Sequence, residues 1–218
     1  MKKFKKLNNL QLSNLPKEKW TKVEHFYCDL TYGHFNKKLG ATNLRLIKKI
    51  LDEEKIVFWL TLGTLLGSVR EKDFISWDND IDLVSYEEEF LPKYDVLKKK
   101  FIAKGFIFRD WQKSEGTKIG LFRKKQKITI DCLFLDPFYR DNKFRVSRQW
   151  RYPRKYFEKY EEIKFKGMIF RVPSPSVSFL KYIYGKNWET QIKPKKNVIR
   201  EWRRKECSRK DRKYLRTI

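Results

Sequence analysis

The chain has 218 residues, of which 52 are Lys or Arg and 27 are Asp or Glu, so its formal net charge is +25. Aromatic residues make up 16% of the sequence and include seven Trp, a composition that excludes an intrinsically disordered chain. The length suits one compact domain with extensions.

Cysteine spacing and the length of apolar runs indicate the cellular compartment in which the protein is expected. Cys28, Cys132 and Cys207 are widely spaced and form no CxxC pair, so neither a disulfide framework nor a zinc site is expected. The basic N-terminus is not followed by the apolar segment of about seven or more residues that a signal peptide needs. The longest apolar run, Ile56 to Val69, is shorter than the roughly twenty residues of a membrane-spanning helix. We therefore expect a cytoplasmic protein that can contact the inner membrane face through its charge.

The excess of positive charge predicts attraction to polyanions. Nucleic acid, anionic lipid, a phosphorylated glycan and a nucleotide all fit this charge. The alternative is that lysine is simply favoured at exposed positions, with no dedicated partner. Charge alone does not separate these possibilities.

Hydrophobic periodicity divides the chain into an N-terminal extension with some helix (1–37), a core domain (38–190) and a basic C-terminal tail (191–218). The predicted core elements are a helix at 38–54, a strand at 56–60 ended by Gly63, a short helix at 64–71, a strand at 81–84, a helix at 87–104, three strands at 106–110, 117–125 and 127–135, a hairpin at 164–173 and a helix at 176–185. This order predicts an α/β fold, a mixed sheet with flanking helices. The segment at 200–218 fits either a site for acidic lipid or nucleic acid, or an exposed helix with i,i+4 ion pairs.

Three aspartates occupy every second position in the stretch "DNDID". Side chains of a strand alternate between its faces, so Asp80 and Asp82 project together, and Asp78 joins them if the strand geometry extends that far. Like charges at this spacing repel unless a cation lies between them, and all-oxygen ligands favour Mg²⁺ or Mn²⁺. The alternative is a turn at a solvated strand edge, where Asp and Asn are common.

The residues before these aspartates are suited to holding a phosphate. Gly63 and Thr64 follow a predicted strand and open a helix, so backbone N–H groups and a hydroxyl can face an anion there. Arg70, near the end of that helix, is a candidate phosphate clamp or a partner of the helix dipole. A phosphate cradle beside a metal site is the arrangement used in phosphoryl or nucleotidyl transfer.

A further carboxylate, Asp131, lies within an otherwise apolar predicted strand. An unpaired charge is costly in such a place, so a metal-binding or proton-transfer role explains Asp131 better than packing does. The predicted catalytic and metal-binding residues are therefore Asp80, Asp82 and Asp131. The predicted substrate-binding residues are Gly63, Thr64, Arg70 and Asp78.

Three stretches of the sequence resemble the LicD/fukutin family of phosphotransferases, which have a nucleotidyltransferase fold. They are "GTLLGSVREKDFISWDNDIDLV", "ITIDCLFLDPF" and "FRVPSPSVSFLKYIYGKNWET", and the resemblance extends over roughly Phe58 to Thr190. One departure is Ser76, where the family usually has Pro. A second is that either Gly63-Thr64 or Gly67-Ser68 can be the glycine pair that precedes the acidic strand in the wider superfamily, and we favour the former because it directly follows a strand.

The resemblance implies an enzyme that passes a phospho-substituent from a CDP-activated donor, such as CDP-choline or a CDP-alditol, to a glycan hydroxyl, with release of CMP. Asp80 and Asp82 are then expected to hold Mg²⁺ (or Mn²⁺) on the donor pyrophosphate. Asp131 is expected to complete the metal site or to act as base toward the acceptor hydroxyl, and Asp78 to position the loop or assist through a metal-bound water. The expected partners are the CDP-linked donor, a phosphorylated or lipid-linked glycan acceptor and anionic membrane, with nucleic acid ranked below these.

Two other functions are compatible with the sequence. One is true nucleotidyl transfer from an NTP to RNA or to a small molecule, which the same fold permits and the basic surface favours. The other is a non-catalytic module that binds RNA or acidic lipid by charge. Such a module gains nothing from three aspartates beside a glycine turn.

Overall fold

The computed structural model describes residues 7–16, 19, 35–113, 116–135, 143–147 and 150–191. The predicted basic segment at 200–218 lies outside this range. In the described residues, nine strands form a larger mixed sheet and a separate hairpin. The strands are β1 (Phe58–Leu60), β2 (Asp80–Tyr86), β3 (Ile107–Lys113), β4 (Gly116–Arg123), β5 (Gln126–Leu135), β6 (Phe144–Ser147), β7 (Trp150–Pro153), β8 (Tyr160–Phe165) and β9 (Met168–Pro173).

Seven helices of the described residues flank these strands. They are α1 (Asn9–Ser13), α2 (Lys37–Glu53), α3 (Leu62–Arg70), α4 (Glu87–Phe90), α5 (Tyr94–Ala103), α6 (Lys155–Glu158) and α7 (Ser176–Tyr184). The helix predicted at 87–104 is divided into α4, a 3-10 turn at Leu91–Lys93 and α5. Pro92 lacks a backbone N–H and is the physical cause of this break. No helix in the described part of the chain has the length and apolarity needed to cross a bilayer.

The larger sheet has the strand order β1-β2-β5-β4-β3, with β6 and β7 added beyond β5. Strands β3, β4 and β5 form the predicted antiparallel meander, whereas β2 and β5 pair in parallel. The predicted α/β fold with a mixed sheet is confirmed. The sequence patterns missed β6, β7 and α6, which are only four residues long each.

The side chains of the central strands alternate between an apolar face and a polar face. Ile81, Leu83, Ile128 and Ile130 point to one side and are fully buried. They belong to the same hydrophobic cluster as the inward residues of α2 and α5. The aspartates of β2 therefore lie on the opposite face, and the apolar cluster fixes which way they point.

The N-terminal extension contributes to the packing. The Ser13 hydroxyl accepts a hydrogen bond from the backbone N–H of Phe108, at 2.9 Å. The Arg109 guanidinium donates to the carbonyl oxygens of Ser13 and Leu15. Residues around α1 thus cover part of the edge strand β3, and this limits pairing with other chains at that edge.

The loop between α3 and β2 is held by an ion-pair cluster around Asp73. The Asp73 carboxylate accepts hydrogen bonds from Lys37 at 3.0 Å and from Lys166 in the turn of the β8–β9 hairpin. Burial acts to raise the pKa of Asp73, but the hydrogen bonds from Lys166, Lys37 and the Phe74 backbone N–H, with the charge of Lys166, together outweigh it and lower that pKa to about 2. The loop that carries Asp78 is therefore tied to both α2 and the hairpin.

We expect Asp73→Asn to lower the free energy of unfolding at neutral pH, because it removes the charge that pairs with Lys37 and Lys166. The expected loss is only about 1 kcal/mol, because solvent screens the ion pairs of a partly exposed carboxylate. The pKa of this group is lower in the folded chain than in the unfolded one, so the stabilisation is present above the unfolded pKa near 3.8 and is lost as the pH falls toward 2. Denaturant unfolding of both proteins at decreasing pH checks this. Asp52→Asn, which removes one exposed i,i+4 pair on α2, is the control and should change little. A difference that is the same at all pH values would contradict the assignment.

Candidate active site

The chain makes a tight strand-to-helix turn after β1. Leu62 adopts a positive φ of 43°, uncommon for a residue with a Cβ, and the helix begins there. The prediction that Gly63 ends the strand is wrong, because the strand ends at Leu60 and Gly63 lies in the first turn of α3. A Cβ on Gly63 would lie 2.0 Å from Oδ2 of Asp78, so only glycine lets this carboxylate approach the helix.

Asp78, Asp80 and Asp82 form one carboxylate cluster. One oxygen from each of the three side chains lies within 4.8 Å of the others. Asp80 and Asp82 share a face of β2, as alternation predicts, and Asp78 joins them from the preceding loop. Three oxygen ligands at these separations fit a hard cation such as Mg²⁺. The site therefore suits the predicted metal, whose binding stays a prediction.

Burial, and after it mutual repulsion, disfavours negative charge on the cluster. Burial raises the pKa of Asp82 to about 7, and the charge of Asp80 adds to this effect. Burial also raises the pKa of Asp78 well above its ordinary value, with further contributions from the charges of Asp80 and Asp82. Carboxylates in this environment hold their protons unless a cation compensates for their charge.

Two threonine hydroxyls fix the position of Asp82. The Thr64 hydroxyl accepts a hydrogen bond from the backbone N–H of Asp82 at 2.9 Å, and Thr64 is buried. The Thr129 hydroxyl donates to Oδ1 of Asp82, also at 2.9 Å. In this structure Thr64 therefore holds the acidic strand against α3, and its predicted contact with substrate stays a prediction.

Asp131 on β5 lies on the same face of the sheet as Asp82, two residues further along the parallel pair of β2 and β5. It pairs in register with Val84 on β2, and its side chain is only 2% exposed. Its Oδ1 atom lies 3.3 Å from the Lys118 Nζ atom. Among the described residues, Asp131 is not a member of the three-carboxylate cluster. Its predicted role as metal ligand or base stays a prediction.

Arg70 joins α3 to the segment that follows α7. Its guanidinium donates to the backbone carbonyl of Trp188 at 3.1 Å and pairs with Glu71 at 2.7 Å. These contacts stabilise the closing segment beside the site. The predicted role of Arg70 as a phosphate clamp stays a prediction.

Four residues near the carboxylates were not among the predicted site residues. Lys118, Thr129 and Tyr152 come from neighbouring strands, and Tyr184 comes from the end of α7. Burial raises the pKa of both tyrosines, and the next contributions come from Asp131 for Tyr152 and from Asp82 for Tyr184. The signal that could have identified Lys118 and Thr129 is strand alternation once the pairing of β2, β5 and β4 is known.

Sequence comparison matches residues 55–175 to the model of the family described as "LicD/FKTN/FKRP, nucleotidyltransferase domain". This match covers more than half of the chain. The mouse ribitol-5-phosphate transferase FKTN is 27% identical over 164 residues, which are 72% of this chain and 34% of that protein. The human ribitol 5-phosphate transferase FKRP is 26% identical over 155 residues, 65% of this chain and 30% of that protein.

A bacterial relative matches over a shorter stretch. The lipopolysaccharide cholinephosphotransferase LicD of Haemophilus influenzae is 40% identical over 47 residues, 22% of this chain and 18% of that protein. The chain thus spans about one third or less of the length of these curated relatives. Among solved structures, the antibiotic-resistance factor ANT(2'')-Ia aligns with a TM-score of 0.47 and 14% identity, over 83% of this chain and 89% of that chain. The lincosamide adenylyltransferase LnuA aligns with a TM-score of 0.46 and 11% identity, over 76% and 96%.

Proposed function

The chain belongs to the LicD/FKTN/FKRP family of nucleotidyltransferase domains, and from this we propose that it is a phosphotransferase acting on a glycan. The transferred group is a phosphate that carries an alcohol, of the phosphocholine or phospho-alditol type, and the donor is its CDP conjugate. The acceptor is a glycan hydroxyl, and CMP is the second product. The names of the relatives support this, because ribitol 5-phosphate and choline phosphate are both phosphates linked to an alcohol.

The observation that carries the proposal is the cluster of Asp78, Asp80 and Asp82 at the start of α3. These residues would hold Mg²⁺ or Mn²⁺, which neutralises the donor's phosphate oxygens when bound. The start of α3 offers the N–H groups of its first turn to the same phosphates. Thr64 and Thr129 keep Asp82 aimed at this point.

The positive charge of the chain supports an anionic donor and a phosphorylated or lipid-linked acceptor. A surface with this net charge also attracts anionic lipid, so we propose peripheral contact with a membrane that carries the acceptor. Cytoplasmic localisation at the inner membrane face is part of the same proposal.

A donor panel tests the proposed function. The purified protein is incubated with Mg²⁺, a glycan acceptor mixture and one of CDP-choline, CDP-ribitol, CDP-glycerol, CTP or ATP. We expect CMP release and acceptor labelling from at least one CDP conjugate, and no pyrophosphate from either triphosphate. EDTA should abolish the reaction, and Asp80→Ala is the matched inactive control. Pyrophosphate release from a triphosphate, in the presence of RNA or a small-molecule acceptor, would instead favour true nucleotidyl transfer.

A further inference from the structure

Two lysines lie on the carboxylate face of the sheet, one at each end of the acidic group. Lys127 on β5 is in register with Asp80, and its Nζ atom lies 3.8 Å from Oδ2 of that residue. Lys118 on β4 is in register with Asp131, and its Nζ atom lies 3.3 Å from Oδ1 of that residue. The two lysine side chains are 22% and 21% exposed, so each is accessible from the site.

Among the described residues, Asp131 lies outside the three-carboxylate cluster and has Lys118 beside it. A buried carboxylate needs a compensating cation, and for Asp131 that cation is the Lys118 ammonium. In the described part of the chain the metal-sized cluster consists of Asp78, Asp80 and Asp82. The acidic group thus comprises a cluster of three carboxylates, with Lys127 3.8 Å from Asp80, and a fourth carboxylate that pairs with Lys118.

The formal charges of the site support the same division. Four carboxylates and two ammonium groups leave a charge of −2, which one divalent cation neutralises. A donor with two phosphates adds negative charge to this neutral site, and more charge develops on the nonbridging oxygens of the transferred phosphate. Donors placed where charge develops stabilise a transition state strongly. An ammonium has three N–H groups, so Lys118 can contact Asp131 and a phosphate oxygen together.

We propose that Lys118 contacts the transferred phosphate, and that Lys118 and Asp131 form the acceptor side of the site, opposite the donor side made by Asp78, Asp80 and Asp82. This inference rests on the proposed function and extends it by placing Lys118 on the transferred phosphate, while Asp131 takes the role of base, one of the two roles that the family resemblance implies. The acceptor oxygen bonds to the distal phosphorus of the donor as the bond from that phosphorus to the CMP oxygen breaks. The proton of the acceptor hydroxyl passes to the Asp131 carboxylate, and CMP leaves with the electron pair of the broken bond.

The alternative is that Lys118 only neutralises Asp131 and has no contact with substrate. Lys118→Met, Lys118→Arg and Asp131→Asn test this, with Lys127→Met as the matched lysine control. Each variant is assayed for kcat, for donor KM and for Mn²⁺ affinity by titration. Circular dichroism and thermal unfolding establish that each variant is folded.

We expect Lys118→Met to lower kcat by about 100-fold, the typical effect of removing one donor to developing charge, while donor KM and Mn²⁺ affinity change by less than about 3-fold. Lys118→Arg should recover at least about 10-fold of this loss, because it keeps the charge and the donors. Asp131→Asn should lower kcat by at least about 100-fold and leave Mn²⁺ affinity within about 3-fold. Lys127→Met should raise donor KM by about 10-fold and change kcat little.

Two results would overturn the inference. One is a loss of Mn²⁺ affinity in Asp131→Asn as large as in Asp82→Asn, because Asp131 is then a metal ligand. The other is a kcat within about 3-fold of wild type for Lys118→Met, because Lys118 is then a counter-ion only. Failure of the proposed function is distinguishable, because no CDP conjugate then releases CMP from the wild type, while the Mn²⁺ titrations still decide whether Asp131 stands apart from the cluster.

Discussion

Replacement of Asp82 by Asn should abolish transfer, with a loss of at least about 1000-fold in kcat/KM, and should weaken Mn²⁺ binding by at least about 100-fold. Asp82 is fixed at two points, since Thr129 holds its Oδ1 atom and Thr64 holds its backbone N–H. Asn keeps the size and can still accept the Thr129 hydrogen bond, so the change removes charge more than shape. The measurements are a Mn²⁺ titration and initial rates with the active donor.

The same variant should unfold at a higher temperature than the wild type when no metal is present. In the metal-free protein, burial and mutual repulsion make these three carboxyl groups, whose oxygens lie within 4.8 Å of one another, costly to ionise, and Asn at position 82 removes one such group. Asp95→Asn, on the exposed side of α5, is the control and should alter neither metal affinity nor rate. An unchanged Mn²⁺ affinity in Asp82→Asn would contradict the proposal that these carboxylates share a cation.

Replacement of Gly63 by Ala should lower Mn²⁺ affinity by about 10-fold and kcat/KM by about 100-fold. The new Cβ would lie 2.0 Å from Oδ2 of Asp78 and 3.2 Å from its Cγ atom, so the carboxylate must move. Asp78 has little freedom to do so, because its Oδ1 atom accepts a hydrogen bond from the backbone N–H of Asn79 at 2.9 Å. Alanine retains the backbone N–H, so the expected loss reports on Asp78 and not on a missing phosphate donor.

Gly167→Ala provides a matched glycine control. Gly167 lies in the β8–β9 turn with φ of 78°, and no atom lies within 4 Å of an added Cβ. This variant should lose about 1 kcal/mol of stability from backbone strain and keep its metal affinity and activity per folded molecule. If Gly63→Ala also keeps full metal affinity, Asp78 does not contribute to the cation site.

The spacing of Asp80 and Asp82 was sufficient to place both side chains on one face of a strand, because alternation is a local property of β geometry. The sequence alone does not reveal why position 63 must be glycine. The sequence suggested a phosphate cradle there, whereas the structure adds a close approach by the Asp78 carboxylate, a contact between two elements that depends on how the intervening loop folds back.

Long-range pairing also decided the surroundings of Asp131. The sequence predicted the strand at 127–135 and the meander that contains it, and both are present. It did not predict that β5 pairs in parallel with β2, or that Asp131 lies opposite Val84 in this pair. Strand register is set by burial of the whole apolar face, which no single strand reveals. Lys118 was unremarkable in the sequence for that reason, although its Nζ atom lies 3.3 Å from Oδ1 of Asp131.

The sequence by itself determined the family, the α/β class and the shared face of Asp80 and Asp82, since these depend on local spacing and residue chemistry. Only the tertiary structure decided that Asp131 faces Lys118 and that Arg70 is engaged by the backbone after α7. Those contacts join residues 13 to 118 positions apart, and no local pattern encodes such distances. They arise when burial of the apolar face of the sheet fixes the register of every strand at once.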